Sequence, residues 1–118
     1  MVAGYTAGVL ALTLLPLPDI AGPLPSWSDK AVHAFLFASL AALLYWDRLP
    51  AGRPRALVIV LPVVLLAGLI ELMQAPLPER SGDVWDFAWS VVGAVAGYLG
   101  VDWAARRAVR ADRSAPPR

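Results

Sequence analysis

Four long apolar runs separated by short polar stretches dominate this chain, at residues 2–18, 29–46, 56–75 and 84–101. A helix needs about 20 apolar residues to cross a hydrocarbon core of roughly 30 Å, and about 17 to 25 are tolerated. Because lipid offers no hydrogen-bond partners, a helix is also the form in which such a run satisfies its own backbone. The pattern therefore predicts an all-α integral membrane protein with four transmembrane helices.

Composition agrees with a membrane protein of one domain. The chain has 118 residues, of which 58% are hydrophobic and 16% are charged, and its mean hydropathy is +0.61. A soluble domain carries about 25% charged residues. We divide the chain into a four-helix membrane domain at residues 1–105 and a basic tail at residues 106–118. The tail is polar and ends in prolines, so we expect disorder beyond its first turns.

Several classes of function are excluded by what the sequence lacks. It has no cysteine, which excludes disulfides, thiolate metal sites and cysteine nucleophiles. The formal net charge of +1 provides no polybasic face, so we expect no nucleic-acid partner. No Lys or Arg precedes the first apolar run and no clear cleavage site follows it, so we interpret this run as a first span and not as a signal peptide.

The arginines predict an orientation in the membrane. Three basic residues lie in the loop at residues 47–55 and five in the tail, out of ten in the whole chain. Short cytoplasmic loops carry an excess of Arg and Lys, so both segments and, with four spans, both termini are predicted to be cytoplasmic. Aromatic residues suit the two interfaces of this arrangement: Trp27 and Trp85 outside, and Tyr45, Trp46 and Trp103 inside.

Three polar motifs stand at the predicted outer ends of the spans. The second span opens with D-K-A-V-H, the third closes with E-L-M-Q, and the fourth follows E-R-S-G-D-V-W-D. Residues three or four apart share a helix face, so each motif can present its polar groups together. The candidate ligand-binding pocket consists of Asp29, Lys30, His33, Glu71, Gln74, Arg80, Asp83, Asp86 and Ser90.

These motifs, in this order, resemble the VanZ-like family of bacterial membrane proteins. The matching pattern is D-K-x-x-H, then E-x-x-Q, then R-x-x-D-x-x-D before a glycine-containing helix, over about residues 29–100. The family pattern often has Asn where this chain has Ser90. The resemblance implies a multi-pass protein of the bacterial cytoplasmic membrane that is associated with glycopeptide (teicoplanin) resistance and cell-envelope function.

The energetic cost of charge in a membrane favours convergence of these groups. A charged side chain at the centre of a bilayer costs about 2.5 to 3.5 kcal/mol on insertion scales, and less near the interface. His33, Glu71 and Asp86 lie about one turn inside the apolar boundary, so they should be paired or face water. Expected pairs join the cations Lys30 and Arg80 to the carboxylates of Glu71, Asp83 and Asp86, and join His33 to a carboxylate.

Each motif also has a purely structural explanation. Asp29 suits the positive end of a helix dipole, and Lys30 can extend to the interface. Glu71 and Gln74 can bridge neighbouring spans, and the Arg80 motif can be a salt-bridged loop. Among functional roles, Arg80 is the best candidate for gripping a phosphate, because its planar fork suits that geometry. The small residues of the stripe Asp86, Ser90, Gly93 and Gly97 suit close helix packing.

Three functional hypotheses follow. We favour binding of a polar head group in the outer leaflet, with membrane lipids and a lipid-linked cell-wall precursor as candidate partners. The alternative is a small membrane enzyme acting on a lipid-linked phosphate or peptide, with His33 or Glu71 as acid or base. A transporter fits less well, because the inner halves of spans two and three are apolar. We expect no cofactor and no metal, because one histidine without cysteine is a poor zinc set, although the polar groups could form an N/O site.

Overall fold

The computed structural model describes residues 1–14, 26–77 and 84–116, whose regular secondary structure is helical, with no strand. The all-α prediction is therefore confirmed for the described part of the chain. Four α-helices follow one another, and a short 3-10 turn at Leu49–Ala51 connects the second to the segment before the third. The helices are α1 (Val2–Leu14), α2 (Ser26–Arg48), α3 (Ala56–Gln74) and α4 (Val84–Ser114).

Three of these helices are long and apolar enough to cross a membrane, and they include the second, third and fourth predicted spans. The prediction of a fourth crossing at residues 2–18 is not confirmed. Helix α1 has 13 residues, which at about 1.5 Å per residue reach about 20 Å, less than the roughly 30 Å of a hydrocarbon core. Residues 15–18 of that predicted span lie outside the described residues.

A ridge of exposed leucines along α3 shows what environment the helices need. Its members are 46% to 74% exposed although they recur every three or four residues along one face. A water-soluble monomer rarely exposes so continuous an apolar surface, whereas lipid accepts it without cost. The fold is therefore compatible with a membrane-embedded protein. The ridge consists of Leu57, Leu61, Leu65, Leu69 and Leu72.

Helices α2 and α4 pack backbone against backbone through two glycines. A Cβ atom added to Gly93 would lie 2.1 Å from the carbonyl oxygen of Ala34, and one added to Gly97 would lie 2.2 Å from that of Ala38. No side chain fits at either position. Small residues serve this purpose at helix interfaces in membranes, because they let two backbones approach closely. The predicted small-residue stripe of α4 therefore faces α2.

Apolar side chains from all four helices fill the interior around this pair. Helix α2 contributes the largest buried rings, Phe37 and Tyr45, and α3 contributes a stripe with helical periodicity. Helix α1 adds Val9 and attaches through the Tyr5 hydroxyl, which donates a hydrogen bond of 3.2 Å to the Leu36 carbonyl. Among the described residues, the core consists of Val9, Phe37, Leu40, Ala41, Tyr45, Ile59, Val63, Ala67, Ile70 and Ala94.

The first turns of the basic tail continue α4. Helix α4 runs without interruption to Ser114, so residues 106–114 are helical, and disorder beyond them stays a prediction. Alanine and arginine, which are strong helix formers, dominate this segment. No glycine or proline occurs between Gly100 and Pro116 to end the helix.

Candidate functional site

Helices α2, α3 and α4 bring His33, Glu71 and Asp86 together at one end of the bundle. Each residue offers one potential ligand atom, a ring nitrogen or a carboxylate oxygen, and these atoms all lie within 4.8 Å of one another. The three helices run in alternating directions, so the start of α2, the end of α3 and the start of α4 meet at this end. We call Lys30, His33, Glu71, Asp86 and Ser90 the polar cluster, and this end of the bundle the His33 end.

His33 is the most deeply placed titratable group of the polar cluster, at 7% exposure. Its Nδ1 atom lies 3.2 Å from the Ser90 hydroxyl, which itself donates a hydrogen bond of 2.8 Å to the Asp86 carbonyl oxygen. A serine hydroxyl has one hydrogen to donate, so towards His33 it acts as the acceptor and Nδ1 carries a proton. In the neutral ring the lone pair is then on Nε2.

Lys30 joins the polar cluster from the solvent side. Its Nζ atom lies 4.0 Å from Asp86 Oδ1, and both side chains are partly exposed, which confirms one of the expected ion pairs. The contact places an opposite charge beside the Asp86 carboxylate at the His33 end.

The other predicted site residues lie apart from the polar cluster or outside the described residues. Gln74 shares a helix with Glu71 but turns to α1, where its amide nitrogen donates to the Thr13 carbonyl oxygen. Asp29 is exposed in the first turn of α2, in the place that a helix dipole favours. The predictions for Arg80 and Asp83 fall on residues 78–83, which the structure does not describe.

An apolar groove of about 640 Å³ begins beside Glu71 and runs between α3 and α4. Apart from Glu71 its lining is apolar, and Gly68 leaves room opposite the Phe87 ring. Glu71 thus borders the groove and belongs to the polar cluster as well. The groove is lined by Val64, Leu65, Gly68, Leu69, Glu71, Leu72, Ala75, Val84 and Phe87.

A second polar cluster, which the sequence analysis missed, lies at the opposite end of the bundle. Asp102 of α4 is 4% exposed and accepts hydrogen bonds through both carboxylate oxygens. Tyr45 donates to Oδ1 over 2.8 Å, Arg53 donates to the same oxygen over 2.6 Å, and Arg106 donates to Oδ2 over 2.8 Å. We call these four residues the Asp102 clamp, and this end of the bundle the Asp102 end.

The Asp102 clamp corrects one sequence interpretation. Tyr45 is fully buried against Asp102 and is not an interfacial anchor, whereas Trp46 and Trp103 are exposed. The hydrogen bond to Asp102 raises the pKa of the Arg53 guanidinium above its ordinary value, so this loop arginine is always charged. In the sequence, the signal for this cluster is the spacing of Asp102 and Arg106. They lie four residues apart on one helix, in a segment otherwise rich in arginine.

Together these features define a helical protein with three helices of membrane-crossing length, a polar cluster at one end and a carboxylate clamp at the other. Comparison with known protein families, with curated proteins and with solved structures finds no match to this chain. The VanZ-like resemblance therefore stays a prediction that depends on its motifs.

Proposed function

We propose that this chain is a membrane protein that binds an amphiphilic molecule, with the polar head at the polar cluster and an apolar chain in the groove between α3 and α4. The observation that carries the proposal is the position of Glu71, which lines the groove and lies among the cluster's ligand atoms. A groove of about 640 Å³ has the size of a small-molecule site. A polar group at its edge selects a ligand with one polar end.

The composition of the polar cluster favours a head group with both charges. Lys30 can attract a phosphate oxygen, and the carboxylates of Glu71 and Asp86 can attract an amine or hydroxyl. His33 adds an imidazole ring that can donate or accept a hydrogen bond. Because water is scarce one turn inside a membrane, these contacts would be stronger than at an exposed surface.

The setting we propose is the bacterial cytoplasmic membrane, in a VanZ-like protein associated with teicoplanin resistance and envelope function. The motifs at residues 29–33, 71–74 and 80–86 support this assignment. The ligand would then be a membrane lipid or a lipid-linked cell-wall precursor in the outer leaflet. Arginines at the Asp102 end support its placement on the cytoplasmic side. We propose α1 as a fourth, short crossing that a locally thinned bilayer accommodates.

Native mass spectrometry of the purified protein with bound lipids retained tests the proposed binding. We expect the wild-type protein to keep one amphiphile through detergent exchange, and Glu71→Gln to lose most of it. Asp29→Asn is the matched control, since it removes one negative charge at the same end but from an exposed side chain. Equal lipid retention by the wild type and Glu71→Gln would contradict binding at the polar cluster.

A second pair of variants tests the groove. Gly68→Leu should fill part of it, because a Cβ atom there meets the Phe87 ring at an ordinary contact distance of 3.5 Å and the rest of the side chain extends into the cavity. Gly100→Leu is the control, because its Cβ atom meets no other atom within 4 Å. We expect lipid loss in the first variant alone. Unchanged retention in Gly68→Leu would exclude the groove as the site of the apolar chain.

A further inference from the structure

We infer that His33, Glu71 and Asp86 bind a divalent first-row transition cation of the Mn²⁺, Fe²⁺ or Zn²⁺ class. Sequence analysis did not support a metal, because a single histidine and scattered carboxylates are a weak signal. The structure changes this assessment by placing one imidazole and two carboxylates from three different helices within 4.8 Å. The inference uses the same side chains as the proposed lipid site but needs no lipid to be tested.

The donor set indicates the class of cation. Imidazole nitrogen suits Zn²⁺, Fe²⁺ and Cu²⁺, whereas carboxylate oxygens also suit Mn²⁺ and Mg²⁺. Ligand atoms about 2.0 to 2.2 Å from an ion are at most about 4.4 Å from one another. The observed spread of 4.8 Å therefore needs only small rotations of the Glu71 and Asp86 side chains to close on an ion. A nitrogen ligand disfavours Mg²⁺, which binds through oxygen.

The hydrogen bond to Ser90 gives the neutral His33 ring the tautomer that a metal ligand requires. The Ser90 hydroxyl accepts from Nδ1, which leaves the lone pair of the neutral ring on Nε2. Metal-binding histidines generally donate their other ring N–H to an oxygen, which fixes the tautomer and the orientation of the ring. Ser90 therefore acts as a positioning residue, and replacing such a partner typically weakens metal affinity about 10- to 100-fold.

Three protein ligands leave coordination positions open, as in catalytic metal sites. Because Glu71 also lines the groove, an open position on that side could take a phosphate oxygen of a bound head group. A metal would thus let a cluster that contains two carboxylates hold an anionic ligand. Lys30 competes with the cation for Asp86, because its ammonium group lies 4.0 Å from Asp86 Oδ1.

Titration with Mn²⁺ alone, followed by electron paramagnetic resonance on metal-stripped protein in detergent, tests the inference. We expect one bound Mn²⁺ with electron-spin-echo modulation from a ¹⁴N nucleus, which the single histidine must supply. His33→Gln should abolish the modulation. Glu71→Gln and Asp86→Asn should each weaken binding about 10-fold or more, and Ser90→Ala by a similar factor. Zn²⁺ should displace Mn²⁺ at lower concentration than Mg²⁺ does.

Asp29→Asn separates coordination from simple charge attraction, and Lys30→Gln tests the competition at Asp86. Asp29→Asn removes the same charge at the His33 end and should leave the Mn²⁺ affinity unchanged within about 2-fold. Lys30→Gln should increase the affinity, because it removes the competing ammonium group from Asp86. Circular dichroism of each variant verifies that the helices remain folded.

Absence of ¹⁴N modulation, or equal weakening by Asp29→Asn and Asp86→Asn, would overturn the metal site. Equal affinity for Mg²⁺ and Mn²⁺ would also overturn it, since that result indicates oxygen ligands alone. None of these results bears on lipid retention, which native mass spectrometry measures without added metal. A protein that retains lipid but fails the Mn²⁺ test would keep its proposed function and lose this inference.

Discussion

Asp102 and His33 are buried polar residues in an apolar bundle. They show how neighbouring side chains supply the hydrogen bonds that an apolar environment cannot. Asp102 receives hydrogen bonds from three side chains, so its charge is compensated where α4 leaves the bundle. His33 uses the Ser90 hydroxyl and lies beside Phe37, whose ring centroid is 6.3 Å away. Burial of either group without these partners would cost several kcal/mol.

We predict that Asp102→Ala lowers the free energy of unfolding by about 1 to 3 kcal/mol, because the buried Tyr45 hydroxyl loses its acceptor. Reversible unfolding in mixed detergent measures this change. Asp112→Ala, ten residues later on the same helix and fully on the surface, should stay within about 0.5 kcal/mol of the wild type. Similar values for both variants would show that the Asp102 clamp does not stabilise the fold.

Ser90→Ala should also lower the free energy of unfolding by about 1 to 3 kcal/mol, because the Nδ1–H of His33 would lose its hydroxyl acceptor. Ser39→Ala is a close control: its hydroxyl also donates to the carbonyl four residues earlier, but on an exposed face of α2. We expect Ser39→Ala to leave the free energy of unfolding almost unchanged. If the two serine variants unfold alike in the same assay, His33 does not depend on Ser90.

At the scale of single residues, the sequence predicted part of the site. The spacing within each motif and the cost of charge in lipid placed His33, Glu71 and Asp86 at one end of their helices, and the structure brings them together. The direction of Gln74 could not be predicted, because its rotation about α3 depends on where α1 packs. The Asp102 clamp depends on a loop arginine that folds back, and helical periodicity contains no information on such a contact.

Among the helices, the pairing of α2 with α4 determines the geometry of both ends. Gly93 and Gly97 allow the two backbones to touch, and Ser90, one turn earlier on the same face, then reaches His33. The sequence predicted this stripe from its spacing of four, three and four residues. It could not predict which helix the stripe would face, because small residues permit close approach without selecting a partner.

Gly97→Ala is predicted to destabilise the protein by about 1 to 3 kcal/mol, because even one methyl group would overlap the Ala38 carbonyl and force α2 and α4 apart. Gly100→Ala, on the same helix but facing open space, should be neutral or stabilising by up to about 1 kcal/mol. Thermal unfolding in detergent compares the two. A stability of Gly97→Ala at or above that of Gly100→Ala would refute the close packing.

For the whole molecule, the charge asymmetry between the two ends predicts the topology. Arginines of the connecting loop and the tail gather at the Asp102 end, where the Asp102 carboxylate neutralises part of their charge. If α2, α3 and α4 each cross once, the His33 end and the C-terminus lie on opposite sides of the membrane. The side of the N-terminus depends on whether the short helix α1 crosses.

Because the chain has no cysteine, single-cysteine variants report topology without background. We predict that Ala3→Cys and Ala115→Cys are both protected from a membrane-impermeant thiol reagent added to bacterial spheroplasts. Leu77→Cys, exposed at the His33 end, should be labelled and serves as the positive control. Labelling of Ala3→Cys with protection of Ala115→Cys would show three crossings in place of four. Labelling of Ala115→Cys would show that the C-terminus faces outward, opposite to the predicted orientation.

Helices α3 and α4 contribute to one site, and a double-mutant cycle with Glu71→Gln and Asp86→Asn tests this most directly. Their ligand atoms lie within 4.8 Å, so the effects of the two substitutions on the free energy of unfolding should be non-additive. We predict an interaction energy of about 0.5 to 3 kcal/mol, measured by reversible unfolding in detergent. Additivity within about 0.3 kcal/mol would contradict the account, because it would show that the two carboxylates do not share a site.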